Sequence, residues 1–422
     1  MSVDQYHRND VFGTVRDLPL NYVERKIVDD RLLDMLDRDK HTVIYGSSKQ
    51  GKTCLRKHCI PEEDRIEVHC SNKWDLEQLM GAILKKAGYK IERSETKTIT
   101  GRFKIIAKLK SGFLGGGGEA GVEKSEQKVR EKLELDPSDV NDVIRALDNI
   151  NFDKYIILED FHYMSEETQE DFSVALKAIH ENSDLVFIIV GVWLEENRLI
   201  SLNGDLRDRV NSVNADKWED KNLIEVVERG EEHLNIEFDT DFRRKLAENC
   251  HESVSIVQKT CQKALEKEEI ETTQKDKKVV ADDTDVIEII TEVVDKNSAR
   301  YERFLRDFAG GFQETQYDMY MWLLYPVIKS TPEELERGVH YSDIREMIES
   351  EHPEGTDLNP GNLTQSITSV SSLQANIGIK PFILDYDSNN RRLSSVDKGF
   401  LTWIATQDEN KLLDDAGLNE HL

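Results

Sequence analysis

The sequence lacks any apolar run that is long enough to cross a membrane. Its longest apolar stretches are residues 155–158 and 185–192 of 422, far short of the roughly 20 residues that a spanning helix needs. The sequence also lacks a basic and then apolar leader at its start. We therefore expect neither a membrane-spanning nor a secreted protein.

The chain also has few cysteines and a deficit of basic residues. Its five cysteines are an odd number, which favours free thiols in a reducing cytoplasm over a disulfide framework. Lys and Arg total 56 against 83 Asp and Glu, so the formal net charge is −27. A protein that coats nucleic acid is basic overall, so any DNA contact has to come from a local patch. The acidity otherwise indicates solubility, with a specific basic partner as the alternative.

Short apolar runs alternate with amphipathic stretches in the first half of the chain. A length of 422 residues indicates two or three domains. Strands are predicted at residues 42–45, 65–70, 155–158, 185–191 and 210–213. Helices are predicted at residues 29–36, 52–59, 75–87, 137–147 and 166–180. This alternation predicts an α/β fold with a parallel sheet that is covered by helices on both faces.

The alternation breaks between residues 88 and 136. The stretch from Arg93 to Lys110 holds six basic residues and one acidic residue, and a glycine run follows at residues 115–118. Residues 98–109 and 122–129 are predicted to pair as a hairpin around those glycines. We interpret the segment near 90–132 as a basic, glycine-rich insertion into the sheet domain.

The second half of the chain is predicted to be helical and to end in a separate unit. Helices are expected at residues 222–234, 239–249, 253–267 and 285–308, with a charged linker at 266–285. The last unit is expected to have helices at 317–327, 341–350 and 362–373, a hairpin at 381–396 and a segment at 400–405. Ser342 is the expected N-cap of the second of these helices. Three helices and a two-stranded ribbon are the layout of a winged helix. The predicted domains are therefore a sheet domain at 1–218, a helical lid at 219–310 and a winged helix at 311–422.

One octapeptide carries the strongest chemical signal in the sequence. It matches the phosphate-loop pattern G-x-x-x-x-G-K-[ST] at every fixed position and reads Gly46-Ser47-Ser48-Lys49-Gln50-Gly51-Lys52-Thr53. A predicted strand precedes it and a predicted helix begins at Lys52, which is the context that this pattern requires. Its glycines let successive N–H groups face phosphate oxygens, and the helix N-terminus adds its positive end. We expect Lys52 to reach the β- and γ-phosphates, Thr53 to bind Mg²⁺, and Cys54 to complete the nucleotide-binding set.

Two carboxylates follow the strand predicted at residues 155–158. A P-loop hydrolase needs one carboxylate on the Mg²⁺ shell and often another that polarises the attacking water. By position Glu159 is the metal-side acid and Asp160 is the base. The usual order is Asp and then Glu, so the reversal predicts slow hydrolysis or an exchange of the two roles. His162 is a further candidate on the γ-phosphate side, although a lone histidine near a carboxylate is more often structural.

These residues resemble the AAA+ class of P-loop ATPases, near the branch of origin-recognition initiators, transposition ATPases and signal-transduction (STAND) ATPases. The resemblance covers residues 10–270 and rests on the phosphate loop, on Leu158-Glu159-Asp160, on the strand predicted at 185–191, and on Asp205-Leu206-Arg207-Asp208-Arg209-Val210. The branch often carries a winged helix as well. The resemblance implies an AAA+ type sheet, ATP and Mg²⁺ as ligands, ATP hydrolysis and a homo-oligomer.

The resemblance also implies a role for an arginine that precedes the fifth strand. In that class such an arginine often points into the nucleotide of the neighbouring subunit, where its charge stabilises the phosphoryl oxygens. Arg209 stands at this position, with Arg207 as the second candidate. Pairing of Arg209 with Asp205 or Asp208 on the surface is an equally open alternative.

Two features that this class usually carries are missing from the sequence. The predicted fourth strand ends in Gly191-Val192-Trp193, without the polar sensor residue. The lid helix predicted at 253–267 lacks an arginine near its start, where Ser255 and Gln258 are poor substitutes. Both absences predict slow hydrolysis.

The predicted winged helix offers few groups for reading DNA. Residues 317–405 hold thirteen acidic and seven basic residues, and phosphate contacts supply most of the affinity for a duplex. The predicted reading helix has no cation, and its polar residues are Thr364, Gln365, Ser366, Ser369 and Ser372. This composition favours a protein-docking role. The candidate DNA contacts are the Arg391 and Arg392 turn and the insertion from Arg93 to Lys110.

The sequence leaves two functions open. One is an ATP-hydrolysing AAA+ protein that couples its nucleotide state to assembly and to a DNA or protein partner. The other is a slow, nucleotide-gated signalling switch in defence or mobile-element control, with little turnover. The reversed acids and the missing sensor favour the switch, whereas the predicted lid and winged helix argue against a metabolic P-loop kinase.

Overall fold

A five-stranded parallel sheet carries the first half of the chain. The computed structural model describes residues 5–13, 17–37, 39–98, 103–109, 132–312 and 318–421. The strands up to residue 214 are β1 (His41–Tyr45), β2 (Arg65–His69), β3 (Tyr89–Lys97), β4 (Phe103–Leu109), β5 (Leu133–Leu135), β6 (Tyr155–Glu159), β7 (Phe187–Val190) and β8 (Val210–Asn214). Five of these form the parallel sheet in the order β2-β6-β7-β1-β8. The sequence predicted all five, with β1, β6 and β7 recognised by the apolar runs of buried parallel strands and β2 by its alternating pattern.

Helices cover both faces of this sheet. They are α2 (Asp29–Leu36), α3 (Lys52–Cys59), α4 (Leu76–Lys86), α5 (Val140–Asp148), α6 (Glu166–Asn182) and α7 (Arg198–Leu202), whereas α1 (Arg8–Phe12) packs on the helical lid. Ile156 and Leu158 of β6 lie in one apolar cluster with α4 and α6. Ile157, between them, lies in a second cluster with α2 and α3. Alternate residues of one strand therefore enter opposite cores, which confirms the prediction of a sheet covered on both faces.

The insertion forms a small antiparallel sheet in the order β3-β4-β5. The hairpin expected between residues 98–109 and 122–129 is wrong for the first of these segments, because β4 pairs with β3 on one side and with β5 on the other. Tyr89 and Ala107 are fully buried against the main core, and this tertiary packing turns a charged stretch into a strand. The glycine run at 115–118 and residues 122–129 lie outside the described residues.

A helical lid follows the sheet. Its elements are α8 (Asp220–Leu234), β9 (Ile236–Phe238), α9 (Thr240–Asn249), α10 (Val254–Lys267), β10 (Lys278–Val280), α11 (Val286–Asp295) and α12 (Ser298–Ala309). The stretch predicted as a linker contains β10, which pairs in parallel with β9. The single helix expected at 285–308 is two helices, because the chain turns at Asn297, whose N–H donates to the Val294 carbonyl at 2.9 Å.

The C-terminal unit has the element order of a winged helix. Its elements are α13 (Met319–Lys329), α14 (Pro332–Arg337), β11 (Val339–His340), α15 (Tyr341–Glu351), α16 (Pro360–Thr368), α17 (Val370–Asn376), β12 (Leu384–Asp387), β13 (Arg392–Ser395), α18 (Lys398–Thr406) and α19 (Glu409–Asp415). The expected two-stranded ribbon has a third strand, in the order β11-β13-β12.

Two expectations for this unit are wrong in detail. The N-cap of α15 is His340, whose side chain accepts from the Ser342 N–H, so Ser342 lies inside the helix. The helix expected at 362–373 is divided between α16 and α17. The hydroxyls of Thr368 and Ser369 bond back to the carbonyls of the preceding turn, which interrupts a helix.

The lid and the C-terminal unit share one continuous apolar core. Val257 of the lid and Trp322 and Trp403 of the C-terminal unit belong to one cluster, which also takes in Phe12 from the start of the chain. The division of the chain into domains at residues 218 and 310 stays a prediction. None of the helices in the described residues combines the length and apolar character that crossing a bilayer requires.

Candidate functional site

The octapeptide predicted to bind phosphate forms the loop between β1 and α3. Gly46 and Gly51 have φ angles of 138° and 83°, which glycine adopts without the steric cost of a Cβ atom. At Gly46 a Cβ would lie 2.5 Å from the Asp216 carboxylate. Because α3 begins at Lys52, the N–H groups of its first turn have no acceptor within the helix. The loop therefore presents backbone donors and a helix N-terminus, as an anion site requires.

Residues that follow β8 hold this loop in place. The Asp216 carboxylate accepts from the Ser47 N–H at 2.7 Å and from the Ser47 hydroxyl at 2.8 Å. The Trp218 indole N–H donates to the Gln50 carbonyl at 3.3 Å. The guanidinium of Arg25 lies 4.0 Å from the centre of the Trp218 ring. The loop is thus fastened at both of its ends to the edge of the sheet.

Lys52 is the buried cation of the loop. Its ammonium donates to the carbonyls of Gly46 at 2.9 Å and Ser47 at 2.5 Å, which leaves one of its three N–H donors for a ligand. Burial lowers the pKa of Lys52 to about 8, although Asp216 among other carboxylates opposes this shift. The Lys52 side chain is therefore already held at the loop, where the sequence predicts that it contacts phosphate.

A cavity of about 480 Å³ lies between the loop, the N-terminal segment and α10, within the size range of small-molecule sites. Its phosphate-loop end is lined by Gly51, Lys52, Thr53, Cys54, Glu159, Asp160 and His162. The residues that the N-terminal segment and the lid contribute to its other end are mainly apolar, namely Phe12, Tyr22, Val23, Val226 and Val254. An end rich in N–H donors and cations beside an apolar end fits a nucleoside triphosphate. The residues present therefore fit the ATP that the sequence predicts.

The amides of Asn21 and Gln258 bridge the lid over this cavity. The Asn21 Nδ2 donates to Gln258 Oε1 at 2.9 Å, and Gln258 Nε2 donates to Asn21 Oδ1 at 2.9 Å. This reciprocal pair ties the N-terminal segment to α10. Gln258 is therefore engaged with Asn21 of the N-terminal segment and does not take the place of a phosphate-binding lid arginine.

The two carboxylates after β6 have different surroundings. Glu159 is buried, and its Oε1 lies 2.6 Å from the Nε of Arg56, a fully buried residue of α3. Arg56 also forms an ion pair of 2.7 Å with Glu67. Burial raises the pKa of Glu159, although Arg56 opposes this shift. By contrast the Asp160 side chain is 48% exposed, and its backbone has a left-handed φ of 59°.

This asymmetry bears on the Mg²⁺ assignment. Thr53 and Glu159 are the predicted metal ligands, and Glu159 and Asp160 both line the cavity. One oxygen of Glu159 is held by Arg56, whereas the Asp160 carboxylate is partly exposed. Among the described residues, no group of three or more His, Cys, Asp or Glu side chains is arranged to hold a metal. Such a sparse donor set fits Mg²⁺, which is held by one or two carboxylates together with phosphate oxygens. Which of the two acids is the metal-side acid stays a prediction.

The end of β7 lacks a polar sensor side chain, as the sequence indicates. Trp193 folds back over Gly191, where a Cβ would lie 1.5 Å from the indole ring. The Trp193 carbonyl accepts from the Gly46 N–H at 3.1 Å. Trp193 itself is buried in the apolar core, and the cavity wall at this strand end is formed by Val190, Gly191 and Val192, none of which has a polar side chain.

The C-terminal unit contacts the phosphate loop directly. The Val396 carbonyl accepts from the Ser48 N–H at 2.8 Å. The Phe382 ring packs against His162 and Tyr163, with ring centres 5.4 and 5.2 Å apart. These contacts bring the last unit of the chain to the phosphate end of the cavity.

A buried ion pair reinforces this docking. Arg198 of α7 lies 3.1 Å from Asp385 of β12, and their side chains are 20% and 6% exposed. The Lys380 ammonium lies 4.3 Å from the centre of the Tyr163 ring. The C-terminal unit is therefore held to the sheet domain by polar as well as apolar contacts.

Arg209 and Arg207, the two arginines that are predicted to reach a neighbouring subunit's nucleotide, lie at the opposite end of the strands from the phosphate loop. The Arg209 carbonyl accepts from the His41 N–H at the start of β1, whereas the phosphate loop follows the end of that strand. The Arg209 guanidinium pairs with Glu181 at 2.8 Å and also donates to the Asp205 carbonyl. Arg207 is exposed. Within one chain neither arginine reaches the cavity, so contact with a neighbouring subunit's nucleotide stays a prediction.

The candidate DNA contacts are partly engaged inside the chain. Arg391 stacks on the Tyr341 ring, with its guanidinium carbon 4.3 Å from the ring centre. Arg392 donates to the Gly338 carbonyl. In the insertion, Lys108 forms an ion pair with Glu92. DNA binding through either region stays a prediction.

Several residues of the site were not identified from the sequence. Arg56 lies four residues after Lys52, and this helical spacing was a signal that it shares a face with the phosphate loop. Asp216 follows β8, where the ends of parallel strands meet, so its position was also open to inference. Phe382 and Val396 carried no local signal, because their role arises from docking of a distant unit.

Comparison by sequence finds no matching family model and no matching curated protein. Solved structures do match. A Walker-type ATPase of Pyrococcus abyssi has a TM-score of 0.50 at 11% identity, covering 92% of this chain and 99% of that chain. The ORC2 protein of Aeropyrum pernix has a TM-score of 0.43 at 12% identity, covering 95% and 97%. The ORC1 protein of the same organism, in complex with DNA, has a TM-score of 0.45 at 12% identity, covering both chains fully at 100%.

At these identities a likeness concerns the fold alone. The match to the Walker-type ATPase extends over nearly the whole of both chains, and the strand order places β1 between β7 and β8 with the phosphate loop at its end. Both findings confirm the fold class that the sequence predicts. The chain therefore has the fold of this Walker-type ATPase, an α/β P-loop sheet followed by a helical lid and a C-terminal unit.

Proposed function

We propose that this protein binds ATP with Mg²⁺ in the cavity beside the phosphate loop and works as a slow, nucleotide-gated switch. The single observation that carries the proposal is the hydrogen bond from the Ser48 N–H to the Val396 carbonyl. It joins the phosphate loop to the C-terminal unit, so a ligand that changes the loop also changes the docking of that unit. The wider function, an ATPase that couples its nucleotide state to assembly and to a partner, includes this switch.

The chain's own groups suffice to bind and orient the phosphates. The N–H groups from Gly51 to Cys54 and the Lys52 ammonium donate to phosphate oxygens. The Thr53 hydroxyl and the Asp160 carboxylate are the proposed protein ligands of Mg²⁺, with Glu159 as the alternative acid. When bound, the metal neutralises charge on the phosphate oxygens. The apolar end of the cavity receives the base.

Three features support slow turnover. Arg56 holds one oxygen of Glu159, so that carboxylate is not free to take a proton from water. The cavity wall at the end of β7 has no polar sensor side chain. The lid residue Gln258 pairs with Asn21 and supplies no positive charge. A site that binds the phosphates well but lacks these catalytic groups is expected to keep its nucleotide bound and to hydrolyse it slowly.

Partners and assembly are proposed from weaker support. Arg209 is the candidate finger toward the next subunit of a homo-oligomer, with Arg207 as the second candidate. The acidic C-terminal unit supports a protein partner, while DNA binding through the insertion or the Arg391 and Arg392 turn is the alternative. The five cysteines are free thiols, which supports a cytoplasmic location.

The test compares nucleotide release in the native chain and in a chain with weakened docking. Phe382→Ala and Asp385→Ala together remove the aromatic contact and the Arg198 ion pair. We expect the native chain to turn over ATP well below the roughly 1–10³ s⁻¹ that is typical of enzymes. We expect the double variant to release a fluorescent ADP at least tenfold faster in stopped-flow measurements. Arg244→Ala, which removes an exposed ion pair of the lid, is the matched control.

The outcomes separate the two functions that the sequence leaves open. Equal release rates in the native chain and the double variant contradict the switch. ATP turnover that rises several-fold when duplex DNA is added supports the first of these functions instead, the ATP-hydrolysing AAA+ protein that acts with a DNA partner. Absence of nucleotide binding in the native chain contradicts both functions.

A further inference from the structure

His162 is buried beside the cavity without a partner for its ring. Its side chain is 5% exposed, and neither Nδ1 nor Nε2 has a hydrogen-bond partner among the described residues. Buried polar side-chain atoms of native proteins are nearly always hydrogen-bonded. An orphan ring that lines a ligand cavity therefore indicates a partner that the ligand supplies.

The position of His162 selects the phosphate end of that cavity. The residue lies in a single helical turn, Phe161–Tyr163, that follows Asp160 directly. Asp160 has a left-handed φ of 59°, and this bend carries both side chains onto the wall that they share with Lys52 and Thr53. Lys52, the buried cation of the phosphate loop, lies close enough to His162 to act on it electrostatically. A ligand atom near His162 is thus part of the phosphate chain.

The charge around His162 suits an anionic acceptor. Lys52, Arg198 and Lys380 lie close enough to the ring to act on it electrostatically. In either protonation state an imidazole ring carries at least one N–H donor. A donor surrounded by cations is complementary to a phosphate oxygen, which accepts hydrogen bonds and carries negative charge.

The same ring also contacts the C-terminal unit. Its centre lies 5.4 Å from that of Phe382, with the ring planes at 86°. It also lies 4.0 Å from the ring centre of Tyr163. Edge-to-face contacts of this kind depend on the orientation of both rings. A change in the orientation of His162 therefore changes its contact with Phe382.

We infer that His162 senses the terminal phosphate: its ring N–H donates to an oxygen that ATP has and ADP lacks, and its contact with Phe382 passes this difference to the C-terminal unit. The inference rests on the proposed function and deepens it. His162 thereby takes the part of the polar residue that is missing at the end of β7. It is a specificity-determining residue, and the inference assigns it no proton transfer.

The test measures how well the full chain distinguishes two nucleotides. Isothermal titration with Mg²⁺ and either AMP-PNP, a non-hydrolysable ATP analogue, or ADP gives the ratio of the two Kd values. His162→Phe keeps an aromatic ring against Phe382 and removes the donor. We expect this variant to raise the Kd for AMP-PNP roughly tenfold or more, because it loses a hydrogen bond to a charged group. We expect the Kd for ADP to change by less than about twofold, since ADP has no oxygen that accepts from this donor.

Two further variants separate sensing from packing. His162→Gln keeps an N–H donor, and we expect it to retain most of the native Kd ratio. His352→Asn is the control, because His352 is similarly buried but packs on Trp322 in the C-terminal unit. We expect its Kd ratio to equal that of the native chain.

Hydrogen exchange of residues 380–386 supplies a readout that is independent of affinity. In the native chain we expect different protection of this segment with AMP-PNP and with ADP. In His162→Phe we expect the two nucleotides to give the same protection.

The results that overturn the inference are distinct. An unchanged Kd ratio in His162→Phe overturns it, and so does an equal loss of affinity for both nucleotides, which indicates packing alone. Either result leaves the proposed function standing, because the native chain then still binds nucleotide. If the native chain binds neither nucleotide, the proposed function fails together with the inference.

Discussion

The phosphate loop and the acidic end of β6 lie at the same edge of one sheet, yet they are built in different ways. The loop takes its shape from its own backbone, through the φ angles of Gly46 and Gly51 and the start of α3. The surroundings of Glu159 are decided by Arg56, a side chain of another element. The structure of a motif that backbone conformation determines can be predicted from its sequence. The structure of a motif whose side chains bond to remote residues cannot be predicted in this way.

Removal of Arg56 is the strongest test of this contrast. Arg56→Ala leaves the carboxylate of Glu159 buried without its counter-ion, and breaking a buried pair in this way costs about 3–5 kcal/mol. We expect a loss of this size in the free energy of unfolding, measured with urea. Arg244→Ala, at an exposed ion pair with Glu248, should cost less than about 1 kcal/mol. Equal losses in the two variants would show that Arg56 is not needed to hold Glu159.

Removal of Lys52 tests the loop by itself. Lys52→Ala deletes the buried ammonium but leaves the glycine turns in place, so we expect a folded chain whose affinity for ADP falls at least about a hundredfold. Isothermal titration measures the Kd, and circular dichroism checks the fold. Lys26→Ala is the control, because Lys26 is exposed. Unchanged affinity in Lys52→Ala refutes the phosphate-loop assignment.

Separate amide substitutions of Asp160 and Glu159 test the acidic end of β6. Because Arg56 engages Glu159 while the Asp160 carboxylate is partly exposed, we expect Asp160→Asn to reduce ATP turnover about tenfold more than Glu159→Gln does. Phosphate release under saturating ATP and Mg²⁺ is the measurement. A larger loss in Glu159→Gln would restore the assignment of Glu159 as the metal-side acid.

The pH dependence of binding sharpens the description of the loop. Burial lowers the pKa of Lys52 to about 8, so the ammonium is charged below this pH and loses its proton above it. An anionic nucleotide prefers the charged form, and the affinity must fall as the pH rises. We expect Kd for ADP to increase about fourfold from pH 7.0 to pH 8.5. A pH-independent Kd would mean that Lys52 stays charged throughout this range.

Much of the fold followed from the sequence because its signals are local. The apolar runs of β1, β6 and β7 are typical of buried parallel strands, and Asp75 and Ser165 cap α4 and α6 as their side chains allow. The errors lie where distant contacts or side-chain competition decide the structure. The strand β10 forms only because β9 lies beside it, and hydroxyls divide α16 from α17.

The candidate site divides along the same line. The conformation of the phosphate loop could be predicted from its own residues, but the sequence did not show that Asp216 and Val396 accept hydrogen bonds from its N–H groups. The pairing of Arg56 with Glu159 and the docking of Phe382 were not predicted. They depend on residues that the sequence separates and the fold brings together, and such side-chain contacts leave no pattern in a single sequence.

The bond between Ser48 and Val396 has a consequence for the newly made chain. Translation proceeds at roughly 5–20 residues per second, so Ser48 leaves the ribosome on the order of half a minute before Val396 is added. During this interval the first domain can fold with its phosphate loop open to small molecules. Cellular nucleotide thus reaches the loop before the last domain exists. On the proposed function, the C-terminal unit therefore docks onto a loop that nucleotide has already been able to reach.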